Sequence, residues 1–314
     1  MAQTGLHRPG GGRNLTTEVV APIRTLASTT IDAGSIISGI LLPGTISEQI
    51  ADHYAKTLFG AATLQDLPAD DEGPRFVINA TNVQSGVLWR FSRPFMGDYL
   101  VGLIRNPKAR LADAVAASSA FPPVLSPAVL EVDPAAFTPD PQCPLQRDPF
   151  NHRVVLSDGG VYDNMGIETS WKRYRTVLVS DAGGKLESEP SPKEDWARHA
   201  VRVASIVDNQ VRCLRKREII AAFKDPDDDH DGTYWGIRTD IADYELPDAL
   251  SCPHDKTMQL ATVATRLKAL DSTLQERLIN WGYAVCDAAV RKHVAGHLPM
   301  PPSAPALPYP NSPI

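Results

Sequence analysis

The sequence predicts an α/β fold, and three observations carry that prediction. Two short β-branched runs, Arg153–Ser157 and Thr176–Ser180, contain Val-Val-Leu-Ser and Val-Leu-Val-Ser, the composition of buried strands. The segment between them, Met165–Tyr174, reads as a helix, so the three together spell a βαβ unit whose parallel strands end on one edge. Two long amphipathic patterns, Trp196–Phe223 and Met258–His293 with breaks, supply helices to cover a sheet.

Residues 1–14 contain Pro9-Gly10-Gly11-Gly12 and read as a flexible leader, residues 15–296 as the folded domain and residues 297–314 as a proline-rich, extended tail. Glu18–Ser28 reads as a helix with Pro22 near its start. Ile46–Leu58 reads as a second, with Ile46, Ile50, Tyr54 and Leu58 at helical spacing. Phe76–Thr81 and Val87–Phe91 form a predicted hairpin across Gln84-Ser85-Gly86. Leu111–Ser119 is rich in Ala and Ser, so a helix there approaches its neighbours closely before Pro122-Pro123 stops it. Asp133–Asn151 is a proline-punctuated surface loop. In Trp196–Phe223 the pattern sets Trp196, Val203, Val207, Val211 and Leu214 on one side and most of the basic residues elsewhere.

A chain of 314 residues is long enough for one large α/β domain or two small ones. Its formal net charge of -6 leaves no electrostatic footprint for nucleic acid. Cys143, Cys213, Cys252 and Cys286 are scattered without a CxxC pair, which suits a reducing compartment rather than a zinc site or disulfide framework. The first thirteen residues lack the apolar core of a secretory signal. The longest apolar stretch, Ile36–Leu42, falls well short of the roughly 20 residues that span a bilayer. A cytoplasmic protein, with at most peripheral membrane contact, is the expectation.

The most informative residues are Asp158-Gly159-Gly160, directly after Val154, Val155 and Leu156. Open α/β sheets keep their chemistry at the carboxyl ends of strands, and an acid held there can orient or deprotonate a nucleophile. Two glycines let another backbone or a ligand come close. Asp163-Asn164 supply a cap for the helix that follows. The plainer alternative is that Asp158 only caps a turn. Asp181-Ala182-Gly183-Gly184 ends the second strand in a similar way, and in the βαβ reading both acids lie on one rim of the sheet. Asp181 is read as structural.

Asp158 through Gly166 resembles the acid-bearing motif of patatin-like phospholipases, in which an Asp-Gly-Gly or Asp-Gly-Ala turn supplies the aspartate of a Ser-Asp dyad. Upstream, Ala116-Ala117-Ser118-Ser119-Ala120-Phe121-Pro122-Pro123 is similar to the small-residue Ser-Ala-x-Pro segment of that family, and Asn79-Ala80-Thr81-Asn82 joins a looser match over the body of the chain. The resemblance implies a three-layer sheet with helices on both faces, hydrolysis of a lipid or acyl ester, and no cofactor or metal. It assigns Asp158 as the base of the dyad, supported by Gly159 and Gly160, with no histidine required. A glycine-rich GGGxR loop would donate N–H groups to the oxyanion.

The chain departs from that pattern at the nucleophile. No GxSxG elbow occurs in it: Ser35, Ser38 and Ser85 each lack the correct flanking glycines. Gly10-Gly11-Gly12-Arg13 resembles the oxyanion loop in composition but follows no apolar strand. The expectation is therefore a patatin-like domain missing its N-terminal strand, helix and elbow, inactive by itself and prone to self-association through an exposed sheet edge. The alternatives are a non-catalytic lipid-binding or interaction module, and an active hydrolase with a divergent serine, Ser35 or Ser38. Asp227–Gly232 opens like a calcium loop, but its twelfth position is Arg238, so it reads as an acidic solvated loop. Arg212, Arg215, Lys216 and Arg217 read as a solvated helix end, with anionic headgroups as the alternative partner.

Overall fold

The computed structural model describes residues 15–30, 45–264, 267–298 and 304–314. The chain packs as two compact units, Met1–Gly166 with Leu267–Leu270, and Ile167–Arg266 with Asp271–Ile314. Both mix helices with strands. The stretch Ile36–Leu42, the serines Ser35 and Ser38, and Gly10–Arg13 lie outside the described residues.

In the first unit a π-helical turn, Leu15–Val20, runs into α1 (Ala21–Ala27), and α2 (Thr45–Tyr54) continues as a second π-helical segment, Ala55–Phe59. A six-stranded antiparallel sheet follows. It contains β1 (Ile78–Asn82), β2 (Val87–Phe91), β3 (Phe95–Asp98) and β4 (Gly102–Arg105), and, beyond α3 (Leu111–Ser118), β5 (Ala128–Glu131) and β6 (Arg153–Asp158). The spatial order is β4-β3-β2-β1-β6-β5. The predicted hairpin is present in register, Ile78 opposite Phe91 and Asn82 opposite Val87.

Alternation along these strands places Ala80, Trp89, Phe91, Val154 and Leu156 in one buried cluster. Against it lies α3, whose Ala114 and Ala117 are small enough to bring the helix down onto the sheet. Burying a side chain such as Phe91 or Leu156 contributes about 1.5–3 kcal/mol. The turns at the far end of the sheet are tied by Asp98, which is fully buried. Its carboxylate accepts from Asn82 Nδ2 (2.8 Å), Ser85 Oγ (2.8 Å), Leu100 N (2.9 Å) and Val101 N (2.7 Å). Donors aimed at a carboxylate satisfy its charge without a basic partner.

The sheet corrects the βαβ reading. Strand β6 has β1 on one side and β5 on the other, both antiparallel, so neither of its edges is open to a parallel partner. Ahead of the predicted helix Met165–Tyr174 stands a short turn, α4 (Gly160–Asp163), and within its range only α5 (Glu168–Trp171) is helical. Gly166 breaks the run with φ +68°, a conformation that ends helices.

The second unit, which starts just before α5, contains the βαβ arrangement that the first lacks. Strand β7 (Thr176–Asp181) leads into α6 (Trp196–Ala222), and β8 (Asp231–Gly236) returns parallel to β7, from Thr176 opposite Asp231 to Asp181 opposite Gly236. The acidic segment Asp227–Gly232 therefore ends inside a strand. Helix α6 starts at Asp195, whose side chain accepts from Arg198 N, and its apolar stripe is exposed, Trp196 at 85%. Two further helices, α7 (His254–Leu260) and α8 (Ser272–His293), complete the unit. Trp281, Ala284, Val285, Ala288 and Ala289 of α8 pack with Ile241, Tyr244 and Leu260.

Residues 304–314 dock on α8 rather than extending freely. The buried Asn280 donates to the carbonyls of Tyr309 and Ser312 (both 2.9 Å) and accepts from Tyr309 N, while Ser312 Oγ donates to Glu276 (2.6 Å). Polar anchors of this kind hold a segment that its prolines would otherwise keep extended. Among the described residues no helix is long and apolar enough to cross a membrane.

Candidate functional site

Asp158 is the last residue of β6, opposite Ala80 of β1. The turn after it is held on two sides, by backbone carbonyls on one and by a side-chain hydroxyl on the other. Asp158 N donates to Ala120 O (2.9 Å) and Gly159 N to Ser118 O (3.3 Å), so the carbonyls of the Ser118-Ser119-Ala120 segment seat the turn directly. On the other side Thr81 Oγ1 donates to Asp158 O (2.8 Å) and accepts from Tyr162 N (3.1 Å), linking β1 to the start of α4. The two motifs that the sequence analysis paired, Ala116–Pro123 and Asp158–Gly160, are thus brought together, with Asn79–Asn82 as the third wall.

The carboxylate is aimed by its own turn: Gly160 N donates to Asp158 Oδ1 at 2.7 Å. Gly159 is required by close approach, because a Cβ there would lie 2.5 Å from Asn79 O, a backbone atom that cannot step aside. Behind the turn Ser157 Oγ donates to Ala120 O (3.1 Å) and accepts from Ser126 Oγ (3.1 Å). Side chains two apart on a strand share a face, so Asp158 projects to the same face as Leu156. Leu156, Phe91 and Ala128 of the sheet and Ala116 and Ala117 of α3, but not Asp158 itself, line a cavity of about 340 Å³.

The polar side of the cavity includes Ser47, Glu48 and an ion cluster. Arg110 reaches Asp113 Oδ1 (2.6 Å) and Asp52 Oδ1 (3.1 Å), and the hydrogen bond to Asp113, then that to Asp52, pushes the guanidinium pKa further up.

Two serines of or near these motifs have other partners. Ser119 Oγ donates to Val115 O (2.9 Å), within its own helix turn, and lies 3.4 Å from Tyr54 Oη. Ser85 Oγ is bound to Asp98.

Asp181 does not share a rim with Asp158, contrary to the sequence expectation, since β7 pairs with β8 in a separate two-stranded sheet. Its Oδ1 accepts from Gly183 N (2.8 Å) and its Oδ2 from Tyr234 Oη (2.7 Å), with Arg212 Nε 3.8 Å away. In the Asp227–Gly232 segment Asp227, Asp228 and Asp229 are exposed, and Asp228 Oδ1 accepts from His230 N and sits 2.8 Å from His230 Nδ1. Among the described residues no group of three or more His, Cys, Asp or Glu side chains is placed to hold a metal.

Sequence reasoning overlooked Thr81, which bridges Asp158 to α4, and Tyr234, which occupies Asp181. Thr81 stood in a quoted motif, and its β-face position opposite Ser157 was the available signal. Tyr234 lies in Asp231–Gly236, a strand whose glycines and acid hide its period. No family model matches the chain, and no curated protein matches it.

Proposed function

We propose that the first unit carries the aspartate half of a patatin-like lipid acyl hydrolase site, in the three-layer arrangement of that family, acting on a lipid or acyl ester. In this reading Asp158 takes the proton of a serine hydroxyl as its oxygen attacks the ester carbonyl carbon. The proton then passes to the departing alcohol, and water releases the acyl group. The observation that carries the proposal is the seating of Asp158-Gly159 on the Ser118 and Ala120 carbonyls, which joins two motifs distant in sequence at one turn. The cavity beside Leu156 offers room for the acyl chain. Because no GxSxG elbow occurs in the sequence, the chain by itself is proposed to bind acyl groups without turning esters over.

Labelling with a fluorophosphonate, alongside binding of a fluorescent fatty acid, tests this. No serine label together with saturable acyl binding is the expected result. A label on Ser35 or Ser38 that disappears in Asp158→Asn keeps Asp158 as the base and makes the chain an active hydrolase with a divergent serine. Absent acyl binding, with labelling either missing or indifferent to Asp158→Asn, overturns the reading.

A further inference from the structure

The carboxyl ends of β7 and β8 border a second cavity, of about 280 Å³, that the hydrolase proposal does not use. Parallel strand pairs bind ligands outside these ends. One wall is α6, where Asn209, Arg212 and Lys216 fall on one face at helical spacing; the other is the segment after β8, with Arg238, Thr239 and Asp240. The volume lies just below the roughly 300–1,000 Å³ of drug-sized sites, which limits the occupant to a small molecule or head group.

The deep end is built from internally matched groups. Arg212 Nη2 donates to Gly184 O (2.7 Å) and Gly183 O (3.2 Å), and its Nε faces Asp181 at 3.8 Å. Tyr234 donates its hydroxyl to Asp181, and burial, followed by that hydrogen bond, pushes the phenol pKa well up, so the hydroxyl keeps its proton. Asp181 and Arg212 therefore offset each other. Lys216 and Arg238 do not have that compensation. The Lys216 ammonium sits 4.5 Å from the centroid of the Tyr234 ring, and among the described residues neither cation has a carboxylate within 4.0 Å.

The cavity is also lined by acceptors, the Asp240 and Asp243 carboxylates and the Thr239 hydroxyl; Asp240 Oδ1 already accepts from Ala242 N and Thr239 Oγ1 from Gly236 N, which leaves further lone pairs on each. A bare anion would be repelled by the acids, and an uncharged polyol would leave the cations unused. A monocarboxylate would match only one of them, whereas a phosphomonoester carries about -1.5 to -2 at pH 7. We propose that this cavity binds a small phosphorylated polyol, its phosphate on Lys216 and Arg238 and its hydroxyls donating to Asp240 and Asp243. Phosphorylated polyols occur both as free metabolites and as the head groups of phosphoinositides.

Calorimetry on the whole chain with glycerol 3-phosphate, inorganic phosphate and glycerol tests the soluble source. Co-sedimentation with phosphatidylcholine vesicles containing phosphatidylinositol 4-phosphate, against vesicles of equal charge made with phosphatidylserine, tests the lipid source. The expected result is binding in at least one arm, preferring the phosphorylated polyol over phosphate, glycerol or phosphatidylserine. Lys216→Gln with Arg238→Gln should weaken it about tenfold or more, and Arg217→Gln, on the same helix outside the cavity, should leave it unchanged. Both altered cations are exposed, so thermal unfolding of the double variant should match that of the parent. Absence of saturable binding in both arms, or binding indifferent to the double variant, overturns the proposal.

Discussion

The two acid-glycine turns begin alike and end in different chemistry. Asp158 and Asp181 each close a six-residue strand, and each accepts from the backbone N–H two residues on, Gly160 at 2.7 Å and Gly183 at 2.8 Å. The turn is thus set by short-range chemistry that any Asp-x-Gly sequence can form. What differs is the wall around it. Strand β6 has neighbours on both edges and its turn rests mainly on main-chain atoms of Ser118, Ala120 and Asn79, with the Thr81 hydroxyl on the Asp158 carbonyl; β7 has one neighbour, and although Ile237 N donates to the Asp181 carbonyl, the Asp181 carboxylate is met by the side chains of Arg212 and Tyr234. A backbone wall fixes a carboxylate in place, while a side-chain wall occupies it.

Glycine substitutions separate these walls, and the largest effect is expected here. In Gly159→Ala the new methyl meets Asn79 O at 2.5 Å, and relieving the contact means parting β1 from the turn. The expected loss is about 2–3 kcal/mol in urea unfolding, at the upper end for overpacking. In Gly183→Ala the methyl meets the end of the Arg212 side chain, which can swing away at the expense of its bonds to the Gly183 and Gly184 carbonyls. A loss of about 1 kcal/mol or less follows. Equal losses at the two positions would erase the distinction between them.

The same contrast explains what was legible in the sequence. The hairpin β1–β2, the small-residue helix α3 and the long helices α6 and α8 were readable because local periodicity and turn residues determine them. Ala116–Pro123 and Asp158–Gly160 stood out in the sequence as two motifs, but that they touch was not readable and is seen only in the structure. The partner of β6 was not readable. Val-Val-Leu-Ser and Val-Leu-Val-Ser are equally suited to parallel or antiparallel pairing, and the choice was made by β1 and β5, which fill both edges of β6. Strand β8 was hidden because Asp231 and Gly232 resemble a loop, although they pair with Thr176 and Val177. The roles of Thr81 and Tyr234 depend on that pairing, so they could not be read before it.

Tyr234→Phe probes the side-chain wall directly and should cost less than Gly159→Ala. It removes the donor to Asp181 Oδ2 while keeping the ring beneath Lys216. A hydrogen bond to a charged acceptor is worth about 1.5–3 kcal/mol, and with Arg212 still beside the carboxylate we expect the lower end, about 1.5 kcal/mol. The matching removal at the first turn, Thr81→Val, deletes a bond to a neutral carbonyl and should cost about 1 kcal/mol. If Thr81→Val proves the costlier change, Asp181 is not held by its side chains as described.

The smallest effect concerns how β8 reaches β7, and it depends on pH. His230, one residue before β8, stacks on Trp171 with ring centroids 4.1 Å apart. Its Nε2 lies 2.9 Å from Trp171 O and its Nδ1 2.8 Å from Asp228 Oδ1, so both ring nitrogens face acceptors and only the doubly protonated ring satisfies both. The carbonyl of Trp171 first, and then Asp228, raises the His230 pKa above its ordinary 6.5, with the nearby Asp229 charge adding to the shift. A raised folded value means the contribution is fully present below about pH 6.5 and fades as pH climbs through that raised value. The ring is partly solvated, so the stabilisation should be about 0.5 kcal/mol or less. The gap between the urea midpoints of the parent and His230→Gln should therefore be larger at about pH 5.5 than at about pH 8.5, where only the stacking contribution remains. A gap that is constant across this range, or that widens toward alkaline pH, would mean that the approach to β8 is held by the stacked ring alone and not by its charge.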